Sequence, residues 1–150
     1  MGAPRLRIER LHAGNRDAFA RIHCDATGHG WCQCVAWWVP AWEGWSERTA
    51  EANAGVRARL FADGIFDGYL VYRDDALAGW VQAWKRDAFA KLATQFGLTL
   101  DPHAWMVGCF VILPAFRGQG MAAGALGLIL DDLKSRGACS VDAFPKRGAQ

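Results

Sequence analysis

WMVGCFVILPAFRGQGMAAGALGLILDDLKSRG, residues Trp105 to Gly137, is the stretch around which the rest of the chain is arranged. Met106 to Ile112 is an apolar run rich in β-branched and aromatic residues, which predicts a buried strand. Pro114 ends it, because proline has no N–H to give to a sheet ladder. Arg117-Gly118-Gln119-Gly120-Met121-Ala122 then leads into an amphipathic helix. Its inward stripe is expected at Ala122, Leu126, Ile129 and Leu133, with Asp131, Asp132 and Lys134 outward. Lys134 and Arg136 suit the negative end of the helix dipole, and Gly137 supplies the stop.

A strand that turns through glycines into a helix presents free N–H groups and partial positive charge at the helix start. Glycines let a phosphate approach the backbone, and Arg117 adds a planar cationic fork. The stretch therefore predicts a phosphate or pyrophosphate pocket. A P-loop is excluded, since no Gly-Lys-Ser/Thr follows. A dinucleotide fingerprint fits loosely as Gly118-x-Gly120-x-x-Ala123, with Asp142 downstream. Against it, Leu113 to Arg117 intervene between strand and glycines, and little chain remains for further strand–helix units. A glycine turn without a ligand is the third reading.

Ile112-x-Pro114-x-x-Arg117-Gly118-x-Gly120-x-Ala122, set between strand and helix, resembles the acetyl-CoA motif of the GNAT superfamily of N-acetyltransferases. The resemblance implies that backbone groups of Phe110, Val111 and Ile112 pair with the pantetheine arm. It also implies that the N–H groups of Arg117, Gly118, Gln119, Gly120, Met121 and Ala122 hold the pyrophosphate. The implied activity is direct transfer of an acetyl group from acetyl-CoA to a primary amine of a small molecule or peptide. The alternative is a non-catalytic acyl-CoA-binding or interaction protein derived from the same fold.

Composition narrows the rest. The 150 residues suit one domain with a real core, spanning 1–150. Apolar residues make up 52% and charged residues 21%, which favours folding over disorder. A net charge of +2 without a Lys/Arg cluster gives no case for nucleic acid. No apolar run is long enough to cross a membrane, and no signal-peptide core opens the chain, so a cytoplasmic location is expected. Five cysteines are too few for a disulfide scaffold and point to a reducing compartment.

In chain order, Arg5 to Leu11 alternates as a half-exposed strand, and Asn15 or Asp17 starts a helix carrying Ala18, Phe19 and Ile22 inward. Gly30 to Trp45 holds five of the eight tryptophans. These rings either plug one end of the sheet or wall an acceptor pocket. Some bacterial members of the resembled family carry a similar Cys-x-Cys with tryptophans here, which favours the pocket. Tryptophan faces attract cations, so an apolar or cationic amine is the expected acceptor. His23, Cys24, His29, Cys32 and Cys34 raise the question of zinc. The Cys32-x-Cys34 spacing in a strand-like segment would point the sulfurs apart, so no metal is expected. Ser46 is read as the cap of a helix running to about Ala62. Tyr69 to Tyr72 and Leu77 to Trp84 form a hairpin, with Gly79 marking a bulge or close approach. Phe89 to Phe96 is a third helix stopped by Gly97, and Cys139 to Phe144 a last strand.

The fold class is therefore α/β (α+β): a GNAT-like mixed sheet flanked by helices, in the order β-α-α-β-β-α-β-α-β. The resemblance implies a further helix and two strands, whereas only Pro145 to Gln150 remain. Either this is a shortened form, or a second subunit completes the sheet, or the chain is incomplete; since an open sheet edge would expose pairing groups, self-association as a homodimer completing the sheet is the expectation.

Many members of the resembled family carry a base carboxylate early in the motif strand, where this chain has Trp105, Met106 and Val107. Three residues are candidates for proton transfer: His103 ahead of the strand, Glu43 among the tryptophans, and Asp142 in the last strand. Cys109 is expected in the core rather than as a nucleophile.

Overall fold

The computed structural model describes residues 3–145. Its centre is the hairpin of β2 (Gly68–Arg73) and β3 (Ala76–Lys85). β1 (Leu6–Arg10) pairs antiparallel with β2, and β4 (Ala104–Ile112) antiparallel with β3. β5 (Ser140–Ala143) adds parallel to β4, giving a mixed sheet in the order β1-β2-β3-β4-β5. The helices are α1 (Arg16–Ile22), α2 (Ala50–Ala62), α3 (Ala90–Phe96) and α4 (Met121–Ser135), in the predicted sequence of elements. A sheet with one parallel pair excludes the repeated parallel units of a dinucleotide-binding domain.

Each sheet face has its own core. α4 covers one, setting Met121, Ala125, Ile129 and Leu133 on Val71, Val81 and Val107. Because α4 begins at Met121, the stripe starts one residue earlier than predicted: Met121 is buried and Ala122 exposed, while Leu126 is half-buried. Tyr69 donates to Asp132 Oδ2 at 2.6 Å, and Arg136 donates to the Tyr69 hydroxyl at 2.8 Å. This ties the end of α4 to β2, so Asp132 is not simply a solvent-facing charge. α1 and α2 cover the other face around Phe19, Leu70, Trp80 and Val111. α3 closes one end with Phe89 and Leu92 against Met106 and Trp38.

Three local expectations change. Thr49, not Ser46, caps α2, accepting from the Ala52 N–H at 3.0 Å, because Ser46 sits in a separate 3₁₀ turn at Trp45–Glu47. Cys32 to Cys34 is a tight turn, not a strand, with Gln33 and Cys34 at φ of 50° and 61°. Cys109 is only partly buried. Gly79 meets both of its expectations. The β2–β3 register slips opposite it, and a Cβ there would lie 2.3 Å from the Val111 carbonyl.

Candidate active site

The site begins where β4 and β5 part. Their pairing runs from Ala104↔Ser140 to Val107↔Ala143 and stops, while β4 continues to Ile112. From Gly108 to Ile112 that edge of β4 has no strand opposite it among the described residues, so backbone donors and acceptors face a gap. The β3–β4 register shifts between Gln82 and Ala83, leaving Gly108 as the extra residue. A Cβ there would lie 2.8 Å from Met106 Cε and 2.9 Å from Gln82 Oε1. The gap is a cavity of about 260 Å³ between Val107–Phe110 and Ala143–Pro145.

β4 leads through a 3₁₀ turn, Pro114–Phe116, into the glycine loop. Gly118 and Gly120 take φ of 71° and 73°, and a Cβ on either would meet no atom within 4 Å. The glycines are thus needed for backbone conformation, and the space beside them is open. Gly120 caps α4 without any side-chain hydrogen bond, and Gly124 N–H is the first to reach back to it, on the Gly120 carbonyl. The N–H groups of Met121, Ala122 and Ala123 are free for an anion. Arg117 Nε donates to the Ile112 carbonyl at 2.8 Å, which holds the guanidinium at the rim. A second cavity, about 320 Å³, lies between Ile112, Phe116, Gly118 and Ala122.

The rings of the tryptophan-rich segment divide between core and cavity. Trp38 lies tilted against Phe89 at 4.4 Å and closes the core, whereas Trp37 and Trp42 wall a cavity of about 520 Å³ with Phe96 and Phe144. That cavity shares Ala143, Phe144 and Pro145 with the gap at β4, so the two adjoin across these residues. Beyond Trp42 lies Lys91, whose Nζ sits 3.3 Å from the Trp42 ring centre and donates to the Ala36 carbonyl. Burial pushes the Lys91 ammonium down to about 8, against the pull of the tryptophan faces.

The proton-transfer candidates are dispersed. Asp142 is held by Arg86, whose Nη1 lies 2.7 Å from its Oδ2. His103 is exposed ahead of β4, at the end away from the gap; at ~3.3 Å per residue it lies about 20 Å along the strand from Cys109. Glu43 is exposed in the turn next to Trp42, nearer the groove. Trp105, Met106 and Val107 are all buried.

The group that sequence reasoning passed over is Cys109. Its thiol is lowered to about 6, first by a hydrogen bond from Cys34, against burial, and then by the imidazole of His23. Burial, and next Cys109 itself, push the Cys34 thiol well up, so Cys34 keeps its proton. These residues come from α1's end, the turn and β4. No local spacing could have joined them.

Among the described residues no set of three or more His, Cys, Asp or Glu side chains is placed to hold a metal, and no helix is long and apolar enough to cross a membrane.

A mixed sheet parted beside a glycine-capped helix start is the arrangement of an acyltransferase fold. Residues 31–146 match the Acetyltransferase (GNAT) family, and the chain belongs to it; it is an acyltransferase. Comparison with curated protein sequences yields no match. Among solved structures, the chain is similar to the aminoglycoside N-acetyltransferase AAC(6')-Iy in complex with CoA. That likeness has a TM-score of 0.60 at 11% identity, over 97% of this chain and 80% of that one. A ribosomal-protein-alanine N-acetyltransferase from Brucella melitensis biovar Abortus 2308 gives 0.57 at 16%, over 95% and 82%. An aminoglycoside acetyltransferase from an uncultured soil metagenomic sample gives 0.57 at 14%, over 96% and 82%.

Proposed function

We propose that the protein is an N-acetyltransferase that moves an acetyl group from acetyl-CoA to a primary amine of a small molecule or peptide. One observation carries this reading. β4 runs from a cavity at Val107–Phe110 to the glycine cradle at the start of α4, and a tryptophan-walled groove adjoins that cavity at Ala143–Pro145, so a thioester laid along β4 would face an acceptor in the groove. Phe110, Val111 and Ile112 would carry the pantetheine arm, and the N–H groups from Arg117 to Ala122 the pyrophosphate. Holding thioester and amine together supplies much of the rate, and a free N–H of β4 would stabilise the oxyanion. Glu43 stands as a candidate base by its place beside Trp42, with His103 and Asp142 less well situated. The similar structures named as aminoglycoside acetyltransferases, one of them in complex with CoA, support a cationic amine as acceptor. The five free cysteines support a cytoplasmic location.

The test is thiol release from acetyl-CoA against a panel of an aminoglycoside, a polyamine, a free amino acid and a dipeptide. With an amine that turns over, Trp42→Ala should raise the acceptor KM roughly 5- to 30-fold with little change in kcat, the worth of a partly desolvated cation–π contact. An unchanged KM would move the acceptor out of this groove.

The same reading includes a homodimer. β5 has no partner on its outer edge among the described residues, and an open edge invites pairing. Light scattering should give twice the chain mass at micromolar concentration; a clean monomer at high concentration would count against it.

A further inference from the structure

We infer that Cys109 is a nucleophile that takes the acetyl group from the thioester, so that the site also forms an S-acetyl-cysteine on the protein itself. The inference rests on the reading of the β4–β5 gap as the place of the thioester.

Four observations support it. Cys109 lines that gap beside Gly108 and Phe110, and it is accessible from it. His23 is buried at 6% exposure, its ring stacked on Phe19 at 3.9 Å. Its Nδ1 lies 3.0 Å from the Phe19 carbonyl. A carbonyl only accepts, so Nδ1 carries the hydrogen, and in the neutral ring Nε2 holds the lone pair. That Nε2 is buried without a hydrogen-bond partner, and Trp80, edge-on to the His23 ring at 6.2 Å, shares a core cluster with Cys109, which brings the imidazole and the thiol to one place. Cys34 completes the group: Trp80 Nε1–H donates to Cys34 Sγ at 3.2 Å, and burial keeps the Cys34 thiol protonated beside Cys109. A base held in one tautomer, a second thiol that stays protonated and an opening onto the acyl group form an activated-nucleophile arrangement.

The step balances. Cys109 S–H gives its proton to His23 Nε2, and the sulfur attacks the acetyl carbonyl. The new bond is from Cys109 Sγ to that carbon. The bond broken is from the carbon to the coenzyme sulfur, which leaves as thiolate and takes the proton from His23. An amine then attacks the acetyl-cysteine: the C–N bond forms, the bond from carbon to Cys109 Sγ breaks, and the proton lost by the amine passes through His23 Nε2 to the Cys109 sulfur. A near-isoenergetic thioester exchange and a downhill aminolysis replace the direct transfer expected from the sequence. Cys109 is catalytic in this scheme, and His23 and Cys34 position and activate it.

The experiment uses the full chain and acetyl-CoA alone. Calorimetry first measures binding, and the sample is then acid-quenched and weighed intact. The expected result is one acetyl group per chain, on the peptide carrying Cys109 and removed by neutral hydroxylamine. Cys109→Ala and Cys109→Ser should bind acetyl-CoA and gain none, while Cys139→Ser, at an exposed site, should acylate as wild type. The rate of iodoacetamide modification of Cys109 against pH gives an independent readout. Its midpoint should lie near 6 and move toward the ordinary thiol value of about 8.5 in His23→Gln and Cys34→Ala. Binding without acylation, or acetyl on another residue, overturns this inference and leaves acetyl transfer to an amine standing. Absence of binding overturns that broader reading as well. A wild-type midpoint in the ordinary range overturns the activated pair.

Discussion

Gly120→Trp should abolish saturable binding of acetyl-CoA while leaving the chain folded. Two effects separate at this position. The first is conformational: Gly120 holds φ of 73°, and a side chain there costs about 1–2 kcal/mol. For a domain of this size that lowers Tm by roughly 2–8 °C. The second is steric and falls only on a ligand, because a Cβ at Gly120 meets nothing of the protein within 4 Å. An indole in that open space would cover the free N–H groups of Met121 to Ala123 and keep a pyrophosphate from them. The expected loss of affinity is at least about 100-fold, the worth of two or more charge-assisted hydrogen bonds. Gly120→Ala divides the two effects. It carries the same backbone strain and should show the same fall in Tm, yet keep most of the binding. Calorimetric titration beside thermal unfolding of both variants checks this. Wild-type affinity in Gly120→Trp would remove the pyrophosphate from the start of α4.

The fold was legible because its signals are local. Met106 to Ile112, Pro114, the glycines and the stop at Gly137 each follow from backbone chemistry within a few residues, and they fall where β4, the loop and α4 are found. The hairpin, with Gly79 marking its bulge, was readable for the same reason. Misreadings occurred where two local signals competed. Ser46 and Thr49 are both good caps, and what selects Thr49 is the extended Arg48 that separates a 3₁₀ turn from α2. Cys32 to Cys34 has the composition of a strand. Its turn is set instead by Gln33, whose amide donates to the carbonyls of His23 and Gly30 at 3.2 and 2.6 Å.

The site divides in the same way. The half proposed to hold the cofactor is a contiguous motif, so each of its residues is readable from the sequence. Its chemical half is assembled by the sheet from distant segments. Cys109 reads as core because six of its neighbours, from Trp105 to Ile112, are apolar, and an isolated strand gives no sign of a bulge that opens its edge. Asp142 reads as a free carboxylate, since nothing in sequence ties it to Arg86. Lys91 gives no hint that it will fill a tryptophan cage, because Trp37, Trp42 and Trp45 come from another part of the chain.

Trp80→Ala should be the most destabilising single substitution named here, at about 3–5 kcal/mol. Trp80 is fully buried, with Phe19 edge-on at 4.8 Å and Phe66 stacked at 6.0 Å. It is the point where β3, α1 and the Cys34 turn meet. Removing it leaves a hole that three elements cannot close together, a large share of the ~5–15 kcal/mol that holds such a domain. Urea unfolding should show the midpoint falling with little change in slope. Trp80→Phe tests the second role of the same ring. It keeps one ring of the packing and loses the second together with the Nε1–H donated to Cys34, a cost of about 1–3 kcal/mol. Without that donor the Cys34 sulfur is free to turn, and its S–H no longer has to point at Cys109. A folded variant with a raised midpoint for Cys109 modification would tie the core to the chemistry. An unmoved midpoint would make Trp80 a packing residue alone.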